Sequence, residues 1–225
     1  MTGVAAIVPA RNEAARIGDT VRALLNVEAI DEVIVVDDGS DDTTADLARS
    51  AGAAVVKLAH RHGKGGALRA GLQQTAADVV LFIDGDLGHT ASIAQPLLEP
   101  VLGGTLDMSI ASPPPNGASG FGLVEGISRL GIRVLTGRRM DRPLSGQRAI
   151  RRTVLARAPI ASHFGVETAL TIDAVRAGFR VAEMPLDFEH ARTGRTASGF
   201  AHRARQGADV LAVLASRLRP RAARP

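Results

Sequence analysis

Residues 79–90 read VVLFIDGDLGHT. The apolar run Val79–Ile83 has the length and composition of a strand buried on both faces, and it stops at two carboxylates, Asp84 and Asp86. Side chains alternate along a strand, so acids at i and i+2 are expected to point the same way and to share one hard cation or face one polyphosphate. Two like charges that close are costly without a counterion. Asp-Gly is also a common turn pair, so the stretch takes its meaning from its neighbours.

Upstream, the same grammar occurs twice more. Residues 4–8, VAAIV, read as a first strand ended by Pro9, with a helix carrying Ile17, Val21, Leu24 and Leu25 behind an Asn12 N-cap. Val33–Val36 is a second strand that ends in Asp37 and Asp38, where Gly39 permits a tight turn and Asp41 or Asp42 caps a helix running through Gly52. Residues 53–58 give a third strand, followed by the Gly-rich stretch HRHGKGGALRAGL (60–72) opening a helix. A helix over 91–102 and a fifth strand over 106–111 complete the pattern. Strands alternating with helices predict an α/β fold with a mainly parallel sheet flanked by helices, in which ligands sit at the carboxyl ends of the strands. Pro9, Asp37, Asp38, Asp84 and Asp86 all fall on that edge.

From Ser112 the texture changes. SPPPNGASGFG (112–122) reads as a loop, 123–136 as a helix, and GRRMDRPLSGQRAIRR (137–152) as a basic loop. Short helices over 153–158 and 166–177, an extended segment over 179–189 interrupted by Pro185, and an amphipathic helix over about 200–219 follow. That last helix carries Phe200, Ala204, Leu211, Leu214 and Leu218 on one side.

With 225 residues, 45% hydrophobic and 22% charged, the chain suits one α/β domain with a substantial core. Six Phe with no Tyr or Trp argue against a stacking platform for single-stranded nucleic acid, and no nucleic-acid partner is expected. The absence of Cys removes disulfides, thiolate zinc sites and a Cys nucleophile together. The net charge of +4 is uneven: residues 191–225 hold eight Arg against one acid, Asp209. The N-terminus lacks the basic segment and apolar core of a signal peptide, and no apolar run reaches the ~20 residues of a bilayer span. The sequence-level expectation is a cytoplasmic protein, at most peripheral on the cytoplasmic membrane face.

Taken together, IVPARNEAARI (7–17), VIVVDDGSDDTTADLA (33–48), HRHGKGGALRAGL (60–72) and VVLFIDGDLGH (79–89), with LSGQRAIRR (144–152) as a weaker fifth, resemble the family 2 glycosyltransferases of GT-A fold. Within them the likeness is strongest to the polyprenyl-phosphate (dolichyl-phosphate mannose synthase-like) sugar transferases. The resemblance implies a metal-dependent inverting transfer of a sugar from a UDP- or GDP-sugar to an acceptor, polyprenyl phosphate first. A small soluble or phosphorylated acceptor is the alternative. It implies a GT-A domain over 1–198, with a donor half of about 1–111 and an acceptor half of about 112–198, and a basic amphipathic helix and tail over 199–225.

The same resemblance implies site residues. Pro9, Ala10, Arg11 and Glu13 with Asp37 and Asp38 would hold the nucleoside, Lys64 or Arg61 would reach the nucleotide, and Asp84-Gly85-Asp86 would bind the donor diphosphate through Mg²⁺ or Mn²⁺. Gly88 stands where the subfamily often has Gln, which leaves His89 or His190 as a further metal ligand beside Asp84 and Asp86. Glu167 or Asp141 would take the proton of a hydroxyl acceptor. A phosphate acceptor, largely ionised at neutral pH, would need no base. Arg138, Arg139, Arg142 and Arg148 surround Ser145-Gly146-Gln147, and Arg forks suit phosphate oxygens, so Arg148 counts with the catalytic candidates.

Two other classes are weaker, a nucleotidyltransferase and a non-catalytic nucleic-acid binder built on the basic tail, which lacks aromatics other than Phe200. A nucleotidyltransferase would carry a Gly-rich, Arg/Lys-bearing signature after the first strand, where this chain has IVPARNE. Gly63-Lys64-Gly65-Gly66 lacks the leading Gly and trailing Ser/Thr of a Walker loop. The amphipathic C-terminal helix has two placements: packed as core on the domain or on a second subunit as a homodimer, or laid on an anionic membrane.

Overall fold

In the computed structural model, residues 3–113, 122–161, 165–189 and 197–218 are described, with side chains from 207 onward in the last segment. Seven strands form one sheet in the order β3-β2-β1-β4-β6-β5-β7. They are β1 (Val4–Ala10), β2 (Glu32–Asp37), β3 (Ala54–Lys57), β4 (Val79–Phe82), β5 (Met108–Ser112), β6 (Arg148–Arg151) and β7 (Val181–Pro185). The β3-β2-β1-β4 half is parallel throughout, β7 runs parallel to β5, and β6 lies antiparallel between β4 and β5.

Alternate residues of the central strands feed two cores. Val4, Ala6 and Val8 of β1, with Val79 and Leu81 of β4, pack in one cluster with Ile17 and Leu24 of α1 (Ile17–Leu25) and Leu97 and Leu98 of α4 (Gln95–Leu102). Ile7, Val80 and Phe82 point the other way, joining Leu68 of α3 (Gly63–Leu72), Val154 of α6 (Arg152–Arg157) and Val166 and Leu170 of α7 (Val166–Arg176). Both faces of the sheet are thus dry, which is why β1, β2 and β4 read as continuous apolar runs. The remaining helices are α2 (Thr44–Ser50), α5 (Gly122–Thr136) and α8 (Ala197–Leu218). Among the described residues no helix is long and apolar enough to cross a membrane.

Four local expectations change. Strand β1 continues two residues past the predicted stop, through Pro9. The β4 ladder ends at the pair Ile7 and Phe82, so the N–H that Pro9 lacks would have faced an edge where β4 no longer pairs. Asn12 is not a helix cap: it sits at φ 56, its N–H donates to Ser40 Oγ, and its Oδ1 accepts from Asp41 N–H, while α1 starts at Ile17. The segment 137–152 is not all loop, because its last residues form β6 and open α6. Residues 88–94 form a 3₁₀ segment rather than the start of an α-helix. Most of the predicted loop over 112–122 lies outside the described residues.

Candidate active site

The carboxyl ends of β1, β2 and β4 meet at one edge, and hydrogen bonds between their loops fix that edge. Asp38 N–H donates to the Ala10 carbonyl, Glu13 N–H to Thr44 Oγ1 and Ala14 N–H to Asp42 Oδ2. Asp42 Oδ1 in turn accepts from Thr44 N–H and from its hydroxyl. These short polar side chains let the 9–14 and 38–44 loops satisfy each other's backbone, which open turns otherwise leave to water.

Asp37 and Asp38 are both buried but differ in role. Asp38 receives His62 N–H at 2.6 Å and Gly63 N–H at 2.8 Å, one on each carboxylate oxygen, so it anchors the turn that opens α3. Asp37 accepts from Ser40 N–H through Oδ1, and its Oδ2 is buried with no hydrogen-bond partner. A buried acceptor left unmatched is costly, and a ligand N–H or O–H would satisfy it. Of the nucleoside candidates, Asp37 therefore has the unused acceptor. Arg11 is exposed beside it, and Pro9 and Ala10 form the floor at the end of β1.

The second group centres on Lys64. Its Nζ lies 2.6 Å from Asp84 Oδ1 and 3.0 Å from Glu167 Oε1, joining α3, the loop after β4 and the first turn of α7. Burial alone would lower the Lys64 pKa, but the charges of Asp84 and Glu167 outweigh it and hold the ammonium above its usual range. The other oxygen of Asp84 accepts from Gln147 Nε2 at 2.8 Å, and Ser145 Oγ donates to Gln147 Oε1. This contact follows from the antiparallel register: Phe82 pairs with Arg148, so the 145–147 turn crosses the end of β4. Gly146 leaves room for this pair, because a Cβ would stand 2.3 Å from Lys64 Nζ and 2.7 Å from Asp84 Oδ2 and would push them aside.

Asp84 and Asp86 are not presented by a strand. Pairing stops at Phe82, and Gly85-Asp86 is a turn, so strand alternation does not set their directions. The turn is held instead by Thr20, fully buried, whose hydroxyl donates to the Gly85 carbonyl and accepts from Gly88 N–H. Gly85 packs against Ala10 and Ile17 with little room for a Cβ, a packing role beneath the candidate donor site. Gly88 adopts φ 56, which gives the departure from Gln at this position a conformational reason.

Glu13 completes the acidic edge. Its pKa is raised to about 7, first by burial, then by the charges of Asp86, Asp84 and Asp42, with Arg16 opposing. Among the described residues no three acids or histidines already stand at cation-binding distance. Nevertheless Glu13, Asp84 and Asp86 offer hard carboxylate oxygens, and the charges of Asp86 and Asp84 add to burial in raising the Glu13 pKa, so the chemistry of these residues fits Mg²⁺ or Mn²⁺. His190 lies outside the described residues, and His89 is exposed.

Arg148 requires a correction. It is 1% exposed, and its guanidinium donates to the carbonyls of Ser145, Pro143 and Glu167 and to Thr171 Oγ1 at 2.8–3.0 Å. Burial pushes its pKa down to about 10 against the charges of Glu167 and Glu183. Arg148 is a buried staple under the 143–147 turn and does not face substrate. Asp141 is exposed, its N–H donating to Glu183 and its carbonyl accepting from Arg129. It stands at the rim of a cleft of about 520 Å³ with Ser112, Arg129, Arg142 and Glu183, at the carboxyl ends of β5 and β7 and apart from the Lys64 cluster. Two α3 glycines have a packing role. A Cβ on Gly65 would stand 2.1 Å from the Ala161 carbonyl, and one on Gly71 2.5 Å from Ile7, so both permit close helix packing. Sequence reasoning assigned no role to Gln147, Gly146 or Thr20, although the SGQR tetrapeptide was the available signal for the first two.

Comparison with known proteins adds an independent line. The pattern described as Glycosyl transferase family 2 matches residues 5–155. Glycosyltransferase AglD of Haloferax volcanii is 30% identical over 211 residues, covering 83% of this chain and 33% of that protein. Glucosyl-3-phosphoglycerate synthase of Mycobacterium tuberculosis is 32% identical over 194 residues, covering 76% of this chain and 60% of that one. The chain thus spans from a third to three fifths of the length of these two curated relatives. The crystal structure of the M. tuberculosis synthase in complex with Mg²⁺ and uridine diphosphate superposes with a TM-score of 0.82 at 31% identity, over 96% of this chain and 79% of that one. Its complex with Mn²⁺, uridine diphosphate and glucosyl-3-phosphoglycerate gives 0.79, also at 31% identity, over 96% and 80%. The sheet and its flanking helices are those of the GT-A fold.

Proposed function

This chain belongs to glycosyl transferase family 2, and from that premise we propose that it transfers a sugar from a nucleoside-diphosphate sugar, in the first instance a UDP-sugar, to a small phosphorylated acceptor with Mg²⁺ or Mn²⁺. The observation that carries the reading is the acidic edge at the carboxyl ends of β1 and β4: Glu13 feels the charges of Asp84 and Asp86, and the Lys64 ammonium pairs with Asp84 and Glu167. That arrangement complements a cation-bound diphosphate. The complexes of the mycobacterial synthase with Mg²⁺ or Mn²⁺ and uridine diphosphate support the donor class. The complex of the same synthase with phosphoglyceric acid supports a small phosphorylated acceptor over polyprenyl phosphate.

In this reading residues 1–111 bind the donor and 112–198 the acceptor. Asp37 Oδ2 accepts from the base or ribose, with Pro9, Ala10 and Arg11 lining the same edge. Asp84 and Asp86 hold the cation, which when bound offsets charge on the departing nucleoside diphosphate. Lys64 neutralises Asp84 and Glu167 and stands within reach of the diphosphate. Gln147 fixes the second oxygen of Asp84, and Arg148 holds the turn that carries Gln147. For a hydroxyl acceptor, Glu167 is the base nearest the donor, whereas Asp141 stands at the cleft rim with Arg129 and Arg142, whose guanidinium groups suit the acceptor phosphate. Inversion is the outcome if Glu167 acts in line with the departing group, and the anomeric configuration of the product tests it. A polyprenyl-phosphate acceptor is the second reading, favoured by the apolar surface described below.

The test is nucleoside diphosphate release from UDP-, GDP-, TDP- and ADP-sugars, with phosphoglycerate or polyprenyl phosphate, in Mn²⁺ or EDTA. The expected result is Mn²⁺-dependent release from one donor, lost in Asp86→Ala. If no donor binds in the presence of Mn²⁺, or if Asp86→Ala keeps full activity, the assignment of this edge is wrong.

A further inference from the structure

Five apolar side chains stand out for exposure among the described residues: Leu123 at 79%, Val134 at 68%, Leu218 at 65%, Leu130 at 63% and Leu211 at 53%, with the next at 40%. All five belong to α5 and α8. A buried core does not explain them, and their arrangement is set by how the two helices pack.

Gly131 of α5 abuts Leu214 of α8, and Gly207 of α8 faces Val124 of α5. Seven residues forward on one helix match seven forward on the other, so α5 and α8 run parallel, side by side. With 3.6 residues per turn, Leu211 and Leu218 lie about 40–60° round from Leu214 in one rotational sense. Ile127, Val134, Leu123 and Leu130 lie about 40–100° round from Gly131 in the opposite sense. For two parallel neighbours, opposite senses bring both groups to the same side of the pair.

The other side is the core side. There Val210 and Val213 approach Gly165, Arg217 pairs with Asp173 of α7 at 2.6 Å, and Ser128 meets Thr168. The predicted apolar stripe of the C-terminal helix therefore splits: Leu214 packs against α5, while Leu211 and Leu218 face out beside the α5 leucines. Phe200 and Ala204 lie outside the described side chains.

Charge identifies the occupant. Arg133 at the end of α5, then Arg138 and Arg139, are exposed, and the sequence after α8 adds Arg219, Arg221 and Arg224. Between 122 and 139 the one acid is Glu125, which is buried and paired with Arg129 and Arg142. A second copy of this face would supply leucines but no acids for those arginines. An anionic bilayer surface supplies both an acyl boundary for the leucines and phosphates for the guanidinium groups.

We propose that the α5–α8 face of this protein docks on the surface of a membrane containing anionic phospholipid, through Leu123, Leu130, Val134, Leu211 and Leu218. Docking on this surface is compatible with either acceptor and lends weight to a lipid one. It leaves the Asp84–Lys64 edge, formed by other elements, free to bind donor.

The test is flotation of the whole chain with phosphatidylcholine vesicles, with and without phosphatidylglycerol. Expected is salt-sensitive partitioning onto the phosphatidylglycerol vesicles, lowered at least about tenfold in Leu123→Ser/Leu130→Ser/Val134→Ser and lowered also in Leu211→Ser on the other helix. These side chains are exposed, so both variants should fold, and unchanged UDP-sugar binding by each separates this result from failure of the transferase reading. Absence of wild-type partitioning, or equal partitioning by the triple variant, overturns the proposal. So does sedimentation that finds a wild-type dimer turned into a monomer by the triple substitution, which would assign the face to a second copy.

Discussion

Glu13 gives a stability signature of the acidic edge that can be read without substrate. Its carboxyl pKa stands at about 7 in the folded protein against 4.5 in the free side chain. A group that holds its proton more tightly when folded makes the folded state bind more protons between those two values. Stability contributed by Glu13 therefore falls as pH rises from about 4.5 to about 7. Below that window both states are protonated and nothing is lost, and above it the full cost of burying a third carboxylate near Asp86 and Asp84 is present. The interval corresponds to about 3 kcal/mol at most. Glu13 is only half-buried, so solvent screening reduces the expected cost to about 1–2 kcal/mol. Glu13→Gln removes it. In EDTA, urea unfolding should show the variant equal to wild type near pH 4 and about 1–2 kcal/mol more stable near pH 8. With Mn²⁺ and uridine diphosphate the wild type should recover the difference, because bound cation relieves the repulsion. A variant that is no more stable at pH 8, or whose gain is the same at both pH values, would refute the electrostatic account of this edge.

Two further substitutions separate support from chemistry. Arg148→Ala leaves the carbonyls of Pro143 and Ser145 without their donor and removes one of the donors to Glu167, and should cost about 3–5 kcal/mol in urea unfolding; lost turnover with unchanged stability would restore a direct catalytic role. Gly146→Ala pushes a methyl against Lys64 Nζ and Asp84 Oδ2, both ends of adjustable side chains. Its fold should survive while Mn²⁺ affinity, measured by titration with uridine diphosphate present, drops about tenfold or more; unchanged affinity would show that this turn does not support the cation site.

What the sequence by itself determined is the alternation of buried strand, acidic loop and helix. That information is local: runs such as Val33–Val36 and Val79–Phe82 are apolar without alternation because both faces of a parallel sheet are covered, and the residues after them are polar because they stand at its open edge. Asp37 and Asp84 could be nominated from that pattern alone, and Glu13 through the family resemblance. Roles that depend on partners far along the chain were decided by the tertiary structure. Arg148 reads as one of several cations in a basic stretch, and only the antiparallel insertion of β6 between β4 and β5 buries it under carbonyl oxygens and swings Gln147 onto Asp84. Asp37 and Asp38 are adjacent and identical in sequence, yet one meets the backbone of His62 and Gly63 while the other keeps a buried oxygen unmatched. The helical period of the C-terminal segment foretold an apolar stripe, but parallel packing on α5 divided it between core and surface. A strand or helix announces itself through neighbours one to four residues away, whereas a buried charge takes its meaning from contacts dozens of residues distant.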